Sequence, residues 1–188
     1  MAQIGKWSPL DMAYIALATV IMMVCAWISI PTMIPFTLQT LGIFLCAGLL
    51  GPARGTAAIL IYLGLGMAGL PVFSGFRGGL GIVLGPTGGY LLGFLLAVPL
   101  SGWLMQRCGG KSIPSLLGMG LGLLLVYLCG TLWNVCVYAP ETGASGFLAA
   151  LSVYVLPFIL PDIGKLVLAW FLCRRLQPYV KSSRQRAD

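Results

Sequence analysis

The chain has no histidine and only four acidic residues, Asp11, Glu141, Asp162 and Asp188, among its 188 positions. Without histidine, the ordinary Ser–His and Cys–His couples of nucleophilic catalysis cannot be built. The acids lie far apart, so no Asp-rich diphosphate motif exists, and no Walker sequence is present. ATP hydrolysis by this chain alone is therefore excluded, and no enzyme activity is expected. Six cysteines, at positions 25, 46, 108, 129, 136 and 173, are scattered, and none forms a Cys-x-x-Cys pair. A metal site needs clustered ligands, so none is expected. The thiols read as small buried hydrophobes. No period of 20–50 residues recurs, which argues against a repeat architecture.

Charge of either sign is scarce, at 8% of residues, whereas 59% are hydrophobic. Uncharged runs cover 12–53, 55–76, 78–106, 112–140 and 142–161. A membrane-spanning helix needs only about 20 apolar residues. The expected fold is all-α: a polytopic membrane protein, compact, with six transmembrane helices. No stretch resembles a cleaved signal, because the first apolar run is long and followed by others. A net charge of +7 invites a nucleic-acid partner. That partner is rejected, because the basic residues fall where membrane topology wants them. The bilayer is the partner that composition implies.

The spans are placed at about 10–30, 36–50, 55–69, 86–106, 113–138 and 161–177, in one domain over 1–180. Proline and glycine punctuate them: Pro31 and Pro35, then the Gly51-Pro52 turn, then a Gly-rich connector over 70–85. Pro86 suits the first turn of the fourth helix. Pro161, with Asp162 behind it, suits the start of the last. Residues 146–156 are expected as a separate short surface helix, and 181–188 as a disordered basic tail. Basic residues concentrate on the cytoplasmic side of membrane proteins. With both termini cytoplasmic, that side holds Lys6, Arg54, Arg107, Lys111, Arg174, Arg175, Lys181, Arg184 and Arg186. The outer side holds Arg77 and Glu141 alone. Arg174, Arg175 and the tail are placed to meet anionic lipid heads.

Asp162 and Lys165 are the most informative residues. An acid and a base within a membrane segment are costly and usually mark a substrate or ion site. At i and i+3 they share a helix face, so both can address one pocket. A self-satisfied ion pair is the plainer alternative, although a dry pair costs desolvation. The stretch Pro35-Phe36-Thr37-Leu38-Gln39-Thr40 opens the second span with polar side chains. Thr37 and Gln39 serve either interhelical hydrogen bonds or a ligand. Two Gly-rich stretches follow, Phe73-Ser74-Gly75-Phe76-Arg77-Gly78-Gly79-Leu80-Gly81 and Gly85-Pro86-Thr87-Gly88-Gly89-Tyr90. Their glycines permit close approach of backbone to a ligand or a helix. Neither ends as a phosphate loop does. Arg77 is either a ligand cation or a solvated residue among the lipid heads. Small residues four apart, such as Gly85/Gly89 and Gly118/Gly122, permit close helix packing.

These blocks resemble the BioY family, the biotin-binding S components of energy-coupling factor (ECF) vitamin transporters. The matching residues are Pro35 to Thr40, Gly78-Gly79-Leu80-Gly81 leading to Gly85-Pro86-Thr87-Gly88-Gly89-Tyr90, and Pro161-Asp162 with Lys165. The resemblance implies capture of biotin at the outer face of the cell membrane. It implies partners as well: a coupling transmembrane subunit and two ATP-binding cassette ATPases, which use the ATP. No cofactor would be bound by this chain. The implied ligand residues are Gln39, Tyr90, Asp162 and Lys165, with Arg77. Thr37, Phe73, Gly78 and Pro86 complete the candidate set. The ureido ring would meet Asp162 and Gln39; the carboxylate would meet Lys165 or Arg77. Phe36, Phe73 and Tyr90 would wall the apolar body. The first helix carries Ala13, Ala16 and Ala18 without the four-residue alanine spacing common on docking faces of S components. The competing reading is an autonomous secondary transporter coupled to protons through Asp162, although inverted-repeat signals are lacking.

Overall fold

The computed structural model describes residues 7–31, 35–108, 112–138, 151–152 and 155–185. Helix α1 runs Pro9–Trp27. Ser8 and Asp11 form a reciprocal capping box at its start, with Pro9 in the first turn. Asp11 also receives Arg54 in two-point contact, Nε to Oδ1 at 2.7 Å and Nη2 to Oδ2 at 2.8 Å. Two short strands follow, β1 (Ser29–Ile30) and β2 (Phe36–Thr37), paired antiparallel with Ser29 opposite Thr37. β1 takes up the end of the expected first span and β2 the start of the second. Helix formation begins at Gln39 instead, whose backbone N–H donates to Thr37 Oγ1 at 3.1 Å.

Helix α2 spans Gln39–Met67 but is not one rod. Gly51 sits at φ 76°, ψ −173°, a conformation essentially reserved for glycine, and Pro52 follows. The chain reverses there. The Cys46 thiol approaches the Gly55 carbonyl at 3.8 Å. Gln39 Nε2 donates to the Tyr62 hydroxyl at 2.8 Å across 23 residues. A straight helix would hold those two residues about 34 Å apart. The element is a helical hairpin with limbs over 39–50 and 52–67, as the Gly51-Pro52 signal implied.

The connector after it contains an antiparallel bridge between Phe73 and Arg77 and one short helix, α3 (Leu80–Val83). Helix α4 is Gly88–Arg107, two residues later than expected. Pro86 lies in the turn ahead of it, where the Gly88 N–H bonds the Gly85 carbonyl at 3.0 Å. Helix α5, Ser112–Trp133, continues into a π-helical turn at Asn134–Tyr138.

Helix α6, Leu156–Gln185, corrects the last span at both ends. It starts five residues before Pro161, because Pro157 fits a first turn equally well. Pro161 is carried inside, where it lacks a donor for the carbonyl four residues back. The helix also continues past 177 to residue 185, so 181–185 is helical rather than tail. Lysine, arginine and glutamine are good helix formers, which favours the extension. Most of the expected surface helix, the 139–146 loop with Glu141, and Lys6 and Lys111 lie outside the described residues.

Helix α2 is the hub, packing on α1, α4 and α6, and α4 packs closely along α5. A Cβ at Gly93 would sit 2.9 Å from the Val126 backbone, so that pair of helices depends on a missing side chain. Phe44, Met119, Leu166 and Cys173 fill the interior between α2, α5 and α6. On α5, Leu117, Leu121, Leu124, Leu128 and Leu132 are exposed, opposite buried Met119 and Val126. Helices apolar on both faces belong in lipid, where close packing rather than water exclusion holds them together. Among the described residues five helices are long and apolar enough to cross a membrane, the hairpin α2 counting as one.

Candidate ligand-binding site

The β2 segment, the starts of α2, α4 and α6 and the C-terminal part of α5 converge with the connector. They enclose a cavity of about 80 Å³. This end of the bundle is opposite Arg54, Arg107 and Arg174, the last of which donates to Ser112 Oγ at 2.9 Å.

Asp162 projects from the second turn of α6 and is buried. Its carboxylate has three donors from three helices. Lys165 Nζ lies 2.7 Å from Oδ1, as does the Thr40 hydroxyl at 3.0 Å; the Tyr127 hydroxyl lies 2.6 Å from Oδ2. The Lys165 ammonium, also buried, sits 4.2 Å from the centre of the Phe36 ring. That ring stacks on Phe158 at 5.6 Å. Both charges are thus paired and dressed with hydrogen bonds or a ring face, as buried ions require.

The opposite wall comes from the hairpin and the connector. Gln39 donates to Tyr62, whose hydroxyl in turn donates to the Val72 carbonyl at 3.2 Å. Tyr62 meets Phe73 edge to face at 5.5 Å. Gly66 leaves the space that the Phe73 ring fills, and Gly130 does the same for Tyr90. Arg77 sits at the rim, exposed, its Nε donating to the Ser74 carbonyl at 3.3 Å. The cavity therefore has one fixed ion pair, a few hydroxyl and amide groups, and largely apolar and aromatic walls. Such a site suits a small ligand with an apolar body and polar ends.

The sequence model of one protein family, the BioY family, matches residues 2–182. The chain belongs to the BioY family. Family relatives include the biotin transporter BioY of Thermotoga maritima, 40% identical over 85% of this chain and 90% of that one. The probable biotin transporter BioY of Pyrococcus horikoshii is 41% identical over 77% and 81%. Among solved structures, the S-component for biotin from an ECF-type ABC transporter superposes with a TM-score of 0.81 at 28% identity, covering 94% of this chain and 95% of that one. The relatives are named as transporters, not enzymes, and the five long apolar helices make this a multi-pass membrane protein.

Of the residues singled out from the sequence, Thr37, Gln39, Phe73, Arg77, Tyr90, Asp162 and Lys165 all line this one cavity. Gly78 and Pro86 do not. A Cβ on Gly78 would overlap the Leu70 carbonyl, so that glycine closes the connector on itself. Sequence reasoning missed Thr40 as a site residue, and Tyr127 and Phe158 altogether. Tyr127 carried a readable signal: a phenol in the uncharged run 112–140 needs a partner for its hydroxyl.

Proposed function

We propose that this chain captures biotin from outside the cell and serves as the S component of an ECF transporter. The observation that carries the reading is the Asp162–Lys165 pair, buried at 4% and 7% exposure in a largely apolar and aromatic cavity. Asp162 accepts a ureido N–H. Lys165, whose ammonium has three N–H groups, gives a further one to the adjacent ureido carbonyl. Because Lys165 lies 2.7 Å from Asp162, both address the same end of the ligand. The carboxylate of biotin is at the far end of a four-methylene chain, and rim-exposed Arg77 is the cation placed to meet it. Tyr90, Phe73 and Phe158 wall the ring and chain between.

The two limbs of α2 count as separate spans, which gives six, with both termini cytoplasmic and one membrane domain. The cavity then opens to the outer face, since the basic ends lie at the opposite pole. Energy comes from a coupling subunit and ABC ATPases, because no phosphate loop exists in this chain. Vesicles bearing the chain alone should bind biotin without accumulating it. Adding the coupling subunit, the ATPases and ATP should drive uphill uptake. Uphill uptake by the chain alone under a proton gradient would favour the secondary-transporter reading.

A further inference from the structure

We propose that Tyr127 and Thr40 are positioning residues that set the ligand specificity of Asp162, filling its carboxylate so that one lone pair, on Oδ2, is left for a single ligand N–H. This rests on the biotin reading above and says which part of the ligand is read and how.

An ionised carboxylate offers about four lone-pair sites, two on each oxygen. Oδ1 is occupied twice, by Thr40 Oγ1 at 3.0 Å and Lys165 Nζ at 2.7 Å. Among the described residues Oδ2 is occupied once, by the Tyr127 hydroxyl at 2.6 Å. The three donors come from α2, α5 and α6, so the carboxylate is fixed from three directions before any ligand arrives. Asp162, Thr40, Tyr127 and Lys165 all line the cavity, so the carboxylate and its donors stand together at its wall. A carboxylate without these clamps could accept two N–H groups from a guanidinium, or turn away from the cavity. Clamped, it takes one donor in one direction. A planar cyclic urea presents its two N–H groups on separate atoms and satisfies that demand with one of them. The other N–H must find a different acceptor. Preorganisation of this kind stabilises the complex by removing the need to order the acceptor on binding.

The test uses the purified full chain in detergent. Affinities are measured for wild type, Tyr127→Phe and Thr40→Val against three ligands: biotin and the two cyclic carbamates in which one or the other ureido N–H is replaced by oxygen. Melting of the ligand-free proteins reports folding. A hydrogen bond to a charged group corresponds to about ten- to a hundredfold in affinity. Tyr127→Phe should weaken biotin by that factor. It should weaken one carbamate as strongly and the other, which lacks the N–H that Asp162 reads, by about threefold at most. Thr40→Val should show the same asymmetry and stands in if Tyr127→Phe does not fold. Equal losses for all three ligands mean a merely structural role and overturn the proposal, as does biotin affinity within twofold of wild type in the folded variants. Failure of wild type to bind biotin would instead overturn the functional reading beneath it.

Discussion

The side-chain amide of Gln39 donates to the hydroxyl of Tyr62 at 2.8 Å, joining the two limbs of α2 at the cavity end. Tyr62 is fully buried and passes the bond on to the connector at Val72. One line of hydrogen bonds therefore fixes the hairpin and the cavity wall together, and Gly51 at the other pole lets the limbs turn back. Gly51→Ala forces a residue with a Cβ into a glycine-only conformation and against the Gln106 side chain. It should destabilise the protein by about 1–3 kcal/mol. Thermal unfolding in detergent should show a lowered midpoint; an unchanged midpoint would mean that the turn does not depend on glycine.

Asp162→Asn removes the charge and turns one acceptor oxygen into an N–H donor, set against either Tyr127 or the Thr40 and Lys165 pair. Truncating one partner of a buried charged hydrogen bond costs about 2–5 kcal/mol. Biotin affinity should fall by about thirtyfold to a few thousandfold at about 1.4 kcal/mol per decade. Radioligand binding checks this. Affinity within twofold of wild type in a folded variant would make the pair structural.

Lys165 and Arg77 should separate when biotin is compared with its uncharged amide. Lys165→Ala should weaken acid and amide alike, because it addresses the ureido end and leaves Asp162 with an unpaired charge. Arg77→Ala should weaken only the acid. An exposed ion pair contributes about 0–1 kcal/mol, so that loss is at most about fivefold. The reverse pattern in competition binding would exchange the two ends of the ligand.

Much of the cavity's lining is legible in the chain because charge is so rare in it. Asp162 and Lys165 stand out in an uncharged background, and the i,i+3 spacing places them on one helix face. The hairpin turn was legible for a similar reason, since Gly51-Pro52 interrupts an otherwise apolar run. What failed were choices between equivalent signals. Pro157 and Pro161 are both good helix starts, and the helix begins at Leu156, just ahead of the first. Gly78 and Pro86 shape the connector without facing the cavity, because a glycine needed for backbone approach looks the same in sequence whether the neighbour is a ligand or a carbonyl. Tyr127 was passed over because its partner is 35 residues away and no local pattern joins them.

The proposed orientation rests on the charge distribution and is open to chemical labelling. In a cysteine-free background, a cysteine replacing exposed Phe76 in the connector should react with an impermeant reagent added to intact cells. One replacing Ser183 near the end of α6 should react only after the membrane is opened. Labelling of both from outside would overturn the six-span arrangement with cytoplasmic termini.

The cavity lined by Asp162 and Lys165 is proposed as a biotin site. Calorimetry of the detergent-purified chain against biotin, thiamine, riboflavin and folate tests it most directly. Biotin should bind tightly and the other three weakly or not at all, since the cavity combines one buried ion pair with apolar walls. Equal or tighter binding of any of the other three would contradict the account.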